Sequence, residues 1–146
     1  MDRDERNEKN NCSDRRTTVD IVVPCFNEEN MVDAFFSETV KVTSSMEGWS
    51  FRFIFVDDGS SYRTLDRIKS LREEHGSLVS YTSLSRNFGK EAAMYAGLER
   101  SSADYVLVMD ADLQHPPALI REMVSRIEDT GCDCCAARRV TRKGDR

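Results

Sequence analysis

Tyr105-Val106-Leu107-Val108-Met109-Asp110-Ala111-Asp112-Leu113-Gln114-His115-Pro116-Pro117 joins an apolar run to two carboxylates and an amide at alternate positions. A short apolar run bounded by turn residues reads as a buried strand. Acids at its carboxyl end would point hard oxygen ligands into the crevice where open α/β sheets bind ligands. Alternation puts the Asp110 and Asp112 side chains on one side of an extended backbone, where a cation would relieve their repulsion. A divalent-metal site for a phosphorylated substrate is therefore preferred over a solvated turn.

Working outward, the chain alternates between two periodicities. Apolar runs at 19 to 23 and 51 to 56, a strand near 78 to 84 and the run at 105 to 109 read as strands. Between and after them lie helical patterns from about Glu28 to Met46, Thr64 to Glu74, Gly89 to Arg100, and from Pro116-Pro117 to about Asp129, with Gly131 just past the last. This order predicts an α/β fold, a mostly parallel Rossmann-like sheet flanked by helices. Cys134-Cys135-Ala136-Ala137 reads as one more short buried strand.

Three strands end in polar clusters that a parallel sheet would bring to one edge: Pro24-Cys25-Phe26-Asn27-Glu28-Glu29-Asn30, Asp57-Asp58-Gly59-Ser60-Ser61, and the Asp110 cluster. Each has a structural alternative. Asn27 could cap the first helix, with Glu28 and Glu29 at its positive end, and Asp-Gly-Ser is an ordinary turn. Adjacent acids at 57 and 58 repel each other and are unneeded for a turn, so one carboxylate there could hold a ribose hydroxyl or a base amide.

Composition narrows the classes. A chain of 146 residues buries one core, and a net charge of -5 argues against a general nucleic-acid binder. Five cysteines without a spaced framework fit a reducing, cytoplasmic setting, and Cys132 and Cys135 lack the companions of a zinc site. No apolar run reaches the ~20 residues of a membrane-spanning helix. Residues 1–17 read as a disordered polar leader, 18–137 as the core, and 138–146 as a basic tail able to meet a lipid phosphate or an anionic membrane surface. His115, with no ligand partner at metal spacing, reads as loop structure.

Four segments in order resemble glycosyltransferase family 2 enzymes of GT-A fold, within them the dolichol-phosphate mannosyltransferase and bactoprenol glucosyltransferase group. They are Pro24 to Asn30, Val56-Asp57-Asp58-Gly59-Ser60, Leu84-Ser85-Arg86-Asn87-Phe88-Gly89-Lys90, and Asp110 to Pro117, and the resemblance covers about residues 19 to 142. It implies that Pro24, Phe26, Glu28, Val56 and Asp58 line the nucleotide of a sugar donor, UDP- or GDP-linked. Asp110 and Ala111 would sit beside its ribose and diphosphate. Asp112 and Gln114 would hold Mg or Mn, and Arg138 would touch the donor's phosphates or sugar. Arg86 and Asn87 match a motif of the bactoprenol branch without an assigned contact.

The implied reaction inverts the anomeric centre and delivers the sugar to a polyprenyl phosphate at the cytoplasmic face of the membrane. A cation stabilises the departing diphosphate, and an already ionised lipid phosphate needs orientation more than a strong base. Asp112 through the metal, and Asp110 as auxiliary base, are the expected catalytic residues. Relatives continue past the basic segment, so the sequence reads as an amino-terminal piece, and a non-catalytic fragment is the alternative. A phosphorelay receiver would explain Asp57-Asp58 but not Asp112, Gln114 or Arg86-Asn87. A dinucleotide-binding oxidoreductase would need glycines that Pro24-Cys25-Phe26-Asn27 lacks.

Overall fold

Odd and even residues of the first strand face different layers, and this divides the molecule. In the computed structural model, which describes residues 15–61 and 63–138, β1 (Thr17–Cys25) pairs in parallel with β2 (Trp49–Asp57) and β4 (Tyr105–Val108), and β2 with β3 (Val79–Ser83). The order β3-β2-β1-β4 reverses direction at β1, so the crevice of a doubly wound sheet opens between β1 and β4.

Val19, Ile21, Val23 and Cys25 of β1 share one core with Phe51, Phe53 and Phe55 of β2. Onto this face pack α1 (Val32–Thr43), α2 (Thr64–His75) and α4 (Leu119–Thr130), through Phe35 and Phe36, Ile68 and Leu71, and Ile120 and Val124. Ile68 and Leu71, and Ile120 and Val124, lie three and four apart, as Phe35 and Phe36 lie from Val32, the spacing that puts side chains on one helical face. Edge-to-face contacts of Phe35 with Phe53 and Phe55, at 6.4 and 6.5 Å between ring centroids, fix the centre.

The opposite face carries α3 (Lys90–Arg100), where Val22, Ile54 and Val56 meet Ala93. Gly97 lets this helix lie close: a Cβ there would come within 2.3 Å of Val22 Cγ1. The outer edge of β4 is unpaired among the described residues, and a groove of about 490 Å³ runs along it from Lys90 and Asp110 to Trp49.

The four strands and four helices lie where the two periodicities put them, with two corrections. Cys134 to Ala137 is not a strand: it runs irregularly, with Cys134, Ala136 and Ala137 exposed, because four small side chains bury too little to hold a ladder. The first helix begins at Val32 rather than near Glu28, and its N-cap is Met31, not Asn27. Residues 1–14 of the expected leader and 139–146 of the basic tail lie outside the described residues; Thr17 is already in β1. Among the described residues no helix is long and apolar enough to cross a membrane.

Candidate functional site

The carboxyl ends of β2, β1 and β4 lie side by side, so the three polar clusters share one edge of the sheet. Cross-links between the loops hold that edge. Asn27 takes a positive φ of 52°, and its backbone N–H donates to Ser60 Oγ at 3.0 Å while its Oδ1 accepts from Ser61 N at 3.0 Å. The Glu28 N–H donates to Thr64 Oγ1 at 3.0 Å, and Arg63 N to Glu29 Oε2 at 2.8 Å. Asn27 thus ties β1's loop to β2's loop instead of capping α1.

The acids at this edge divide into two sets. Asp57 and Asp58 are buried and turned inward. Asp57 Oδ1 accepts from Ser60 Oγ at 2.5 Å. Asp58, 3% exposed, accepts from Phe88 N at 2.8 Å and Gly89 N at 3.1 Å, with Asn87 Nδ2 at 3.3 Å. That clamp assigns a contact to Asn87 and fixes the loop before α3. Gly59 makes the close approach possible, since its φ is 65° and a Cβ would lie 2.2 Å from the Arg86 carbonyl carbon. Arg86 lays its guanidinium 4.3 Å from the Phe88 ring centroid.

Glu28, Asp110 and Asp112 form the second set. The Glu28 carboxyl is held above its ordinary value by burial, then by the charges of Asp112 and Asp110. Burial likewise pushes the Cys25 thiol far up, with Glu28, Asp57 and Asp110 adding to it, so Cys25 is an inert apolar filler beneath the acids. Asp112 Oδ1 accepts from the Gln114 N–H, at 3.1 Å, its one hydrogen bond among the described residues, in a turn through Leu113 with φ 59°. Among the described residues no cation pairs with Glu28 or Asp112, whereas Lys90 Nζ lies 2.7 and 2.8 Å from the two Asp110 oxygens.

Around these acids, Phe26 is exposed while Pro24, Val56 and Ala111 are buried at the strand ends. Gln114 is exposed beside Asp112. Arg138 is exposed at the end of the described chain, and no hydrogen bond or ion pair joins it to the carboxylates among the described residues. Nothing in the Leu84 to Lys90 segment alone points to a role for Lys90; the signal for it is Asp110, an acid beside two others.

The sequence profile described as Glycosyl transferase family 2 matches residues 20–146. The chain belongs to glycosyl transferase family 2. Its relatives include CsbB of Bacillus subtilis (strain 168), 42% identical over 127 residues, covering 87% of this chain and 37% of CsbB. The undecaprenyl-phosphate 4-deoxy-4-formamido-L-arabinose transferase of Pseudomonas aeruginosa (strain LESB58) is 38% identical over 108 residues, 74% of this chain and 32% of that protein. The chain thus spans about a third of the length of these curated relatives.

Among solved structures, TarS 1-349 of S. aureus superposes with a TM-score of 0.64 at 18% identity, over 79% of this chain and 33% of that one. The mannosyltransferase PcManGT of Pyrobaculum calidifontis, in complex with GDP-Man and Mn2+, gives 0.59 at 21% identity, over 68% and 28%. These likenesses establish the fold as that of GT-A glycosyltransferases.

Among the described residues no group of three or more His, Cys, Asp or Glu side chains is placed to hold a metal ion by itself. Two carboxylates without cationic partners and a neighbouring amide instead suit a hard ion that shares its coordination with substrate phosphates, as Mg2+ commonly does.

Proposed function

We propose that this chain is the donor-binding part of a metal-dependent, inverting glycosyltransferase that moves a hexose from a UDP- or GDP-linked donor to a polyprenyl phosphate. The observation that carries the reading is the division of acids at the carboxyl edge, where among the described residues Glu28 and Asp112 pair with no cation while their neighbours are satisfied. Support for the acceptor comes from the relative named for undecaprenyl phosphate, and for a nucleotide donor with a cation from the GDP-Man and Mn2+ complex.

Asp112 and Gln114 would hold Mg or Mn, which supplies positive charge where the departing diphosphate becomes more negative. Phe26 offers an exposed ring, and with Pro24, Glu28, Val56 and Asp58 it would line the nucleotide. Asp110 and Ala111 would lie beside the ribose and diphosphate, and Arg138 would reach the phosphates or sugar. A lipid phosphate is ionised at neutral pH and attacks once oriented, so Asp110 is not required to take a proton. The reaction would run at the cytoplasmic face of a membrane, the chain touching it peripherally.

Titration calorimetry of the chain with UDP and GDP, with and without Mn2+, tests the reading beside Asp112→Ala. Metal-dependent binding of one nucleotide, lost in the variant, is expected. A folded chain that binds neither nucleotide is a non-catalytic fragment.

A further inference from the structure

We infer that Lys90 is a tethered counter-ion: it holds Asp110 while no divalent cation is present, and turns to the donor's diphosphate once one is bound. The inference rests on reading the carboxyl edge as a nucleotide-sugar site, and it gives Lys90 a role that neither the sequence motif nor the fold assigns.

Three features carry it. First, the Lys90 ammonium touches both Asp110 oxygens, at 2.7 and 2.8 Å, although its side chain is 59% exposed and could extend into water. It is the one lysine or arginine ion-paired with the Glu28, Asp110 and Asp112 cluster among the described residues, and it touches Asp110 alone. Counted over those residues, three carboxylates and one ammonium leave the formal charge that a divalent ion carries.

Second, the backbone of Lys90 cannot drift away. It is the first residue of α3, directly after Phe88 and Gly89, whose N–H groups the buried Asp58 carboxylate holds at 2.8 and 3.1 Å. A fixed backbone and a flexible four-carbon stem keep the ammonium at high effective concentration near Asp110 without locking it there.

Third, the pair is of the exchangeable kind. Partly exposed lysine–carboxylate pairs are worth little, so a doubly charged ion beside Asp110 displaces the ammonium readily. The released Lys90 then lies beside whatever anion shares that ion, and its three donors suit a phosphate oxygen.

The two halves of the inference have opposite signs, which makes them testable together. Mn2+ binding alone is followed from the free-ion signal in electron paramagnetic resonance, and UDP and GDP binding by calorimetry at saturating Mn2+. Lys90→Gln, which leaves an exposed site and a melting temperature near the wild type, is expected to bind Mn2+ about fivefold more tightly, the scale of an exposed ion pair. The same variant is expected to bind the nucleotide about tenfold more weakly, as for a lost charge-assisted hydrogen bond. Lys90→Arg keeps the charge and stays near wild type in both.

A Lys90→Gln chain that binds Mn2+ no more tightly, or the nucleotide no less, overturns the inference and leaves the donor-site reading standing. A wild-type chain that binds neither Mn2+ nor nucleotide overturns both.

Discussion

Asp20 and Asp112 lie at opposite ends of the paired strands β1 and β4, and the chain treats them in opposite ways. Asp20, fully buried in the amino half of β1, accepts from Arg52 Nε at 3.0 Å, Ser101 Oγ at 2.8 Å and Ser102 N at 3.2 Å. Asp104, at the same end, is met by Thr18 N at 2.9 Å, Thr18 Oγ1 at 3.1 Å and Arg15 at 3.3 Å, and its carboxyl is held below the ordinary value chiefly by the Thr18 hydrogen bonds. Asp112 has one backbone partner and no cation among the described residues. Acids at the amino end close the structure; on the reading proposed above, Glu28 and Asp112 at the carboxyl end of the β1–β4 crevice are left for a ligand.

The largest effect should come from the amino end. Asp20→Ala removes four hydrogen bonds and the ion pair to Arg52, and should cost about 3 kcal/mol in urea denaturation, with nucleotide affinity per folded molecule unchanged. Unaltered stability would break the comparison.

Gly59→Ala acts on the scaffold between the two sets of acids. Its Cβ would collide with the Arg86 backbone at a positive φ, so a loss of about 2 kcal/mol is expected, together with weaker nucleotide binding as the loop carrying Lys90 is pushed off Asp58. Asp112→Ala should do the reverse of Asp20→Ala: less than about 1 kcal/mol in stability, but loss of metal-dependent nucleotide binding.

The smallest effect sharpens the contrast through pH. The Glu28 carboxyl is raised by burial and by Asp112 and Asp110, so the folded chain holds that proton more tightly than the unfolded chain. Its contribution is present below the ordinary glutamate range and is lost as pH rises through the raised folded value. Glu28→Gln should therefore stabilise the chain by no more than about 1 kcal/mol at neutral pH, with the gain vanishing near about pH 4. Thermal melts across that range check it.

The sequence carried the strands and helices because each rests on local periodicity: Val19 to Val23, Phe51 to Val56 and Tyr105 to Val108 announce themselves within a few residues. It also carried the convergence of Glu28, Asp110 and Asp112, because a parallel sheet leaves strand ends only one edge to share. What it could not carry depends on partners distant in the chain. The partners of Asp58 come from a loop about 30 residues later, at Asn87, Phe88 and Gly89, which no local pattern around Asp58 shows. Asp20, an acid inside an apolar run, finds Ser101 81 residues away. Lys90 meets Asp110 only because α3 is pinned close to β1.

If ligand-directed acids are confined to the carboxyl edge, substoichiometric Mn2+ should broaden amide resonances there and nowhere else. Signals from residues around Glu28 and from Asp110 to Gln114 should be lost selectively, with Asp20 and the exposed Asp104 unaffected. Broadening centred on Asp104, or spread evenly over the surface carboxylates, would contradict that confinement.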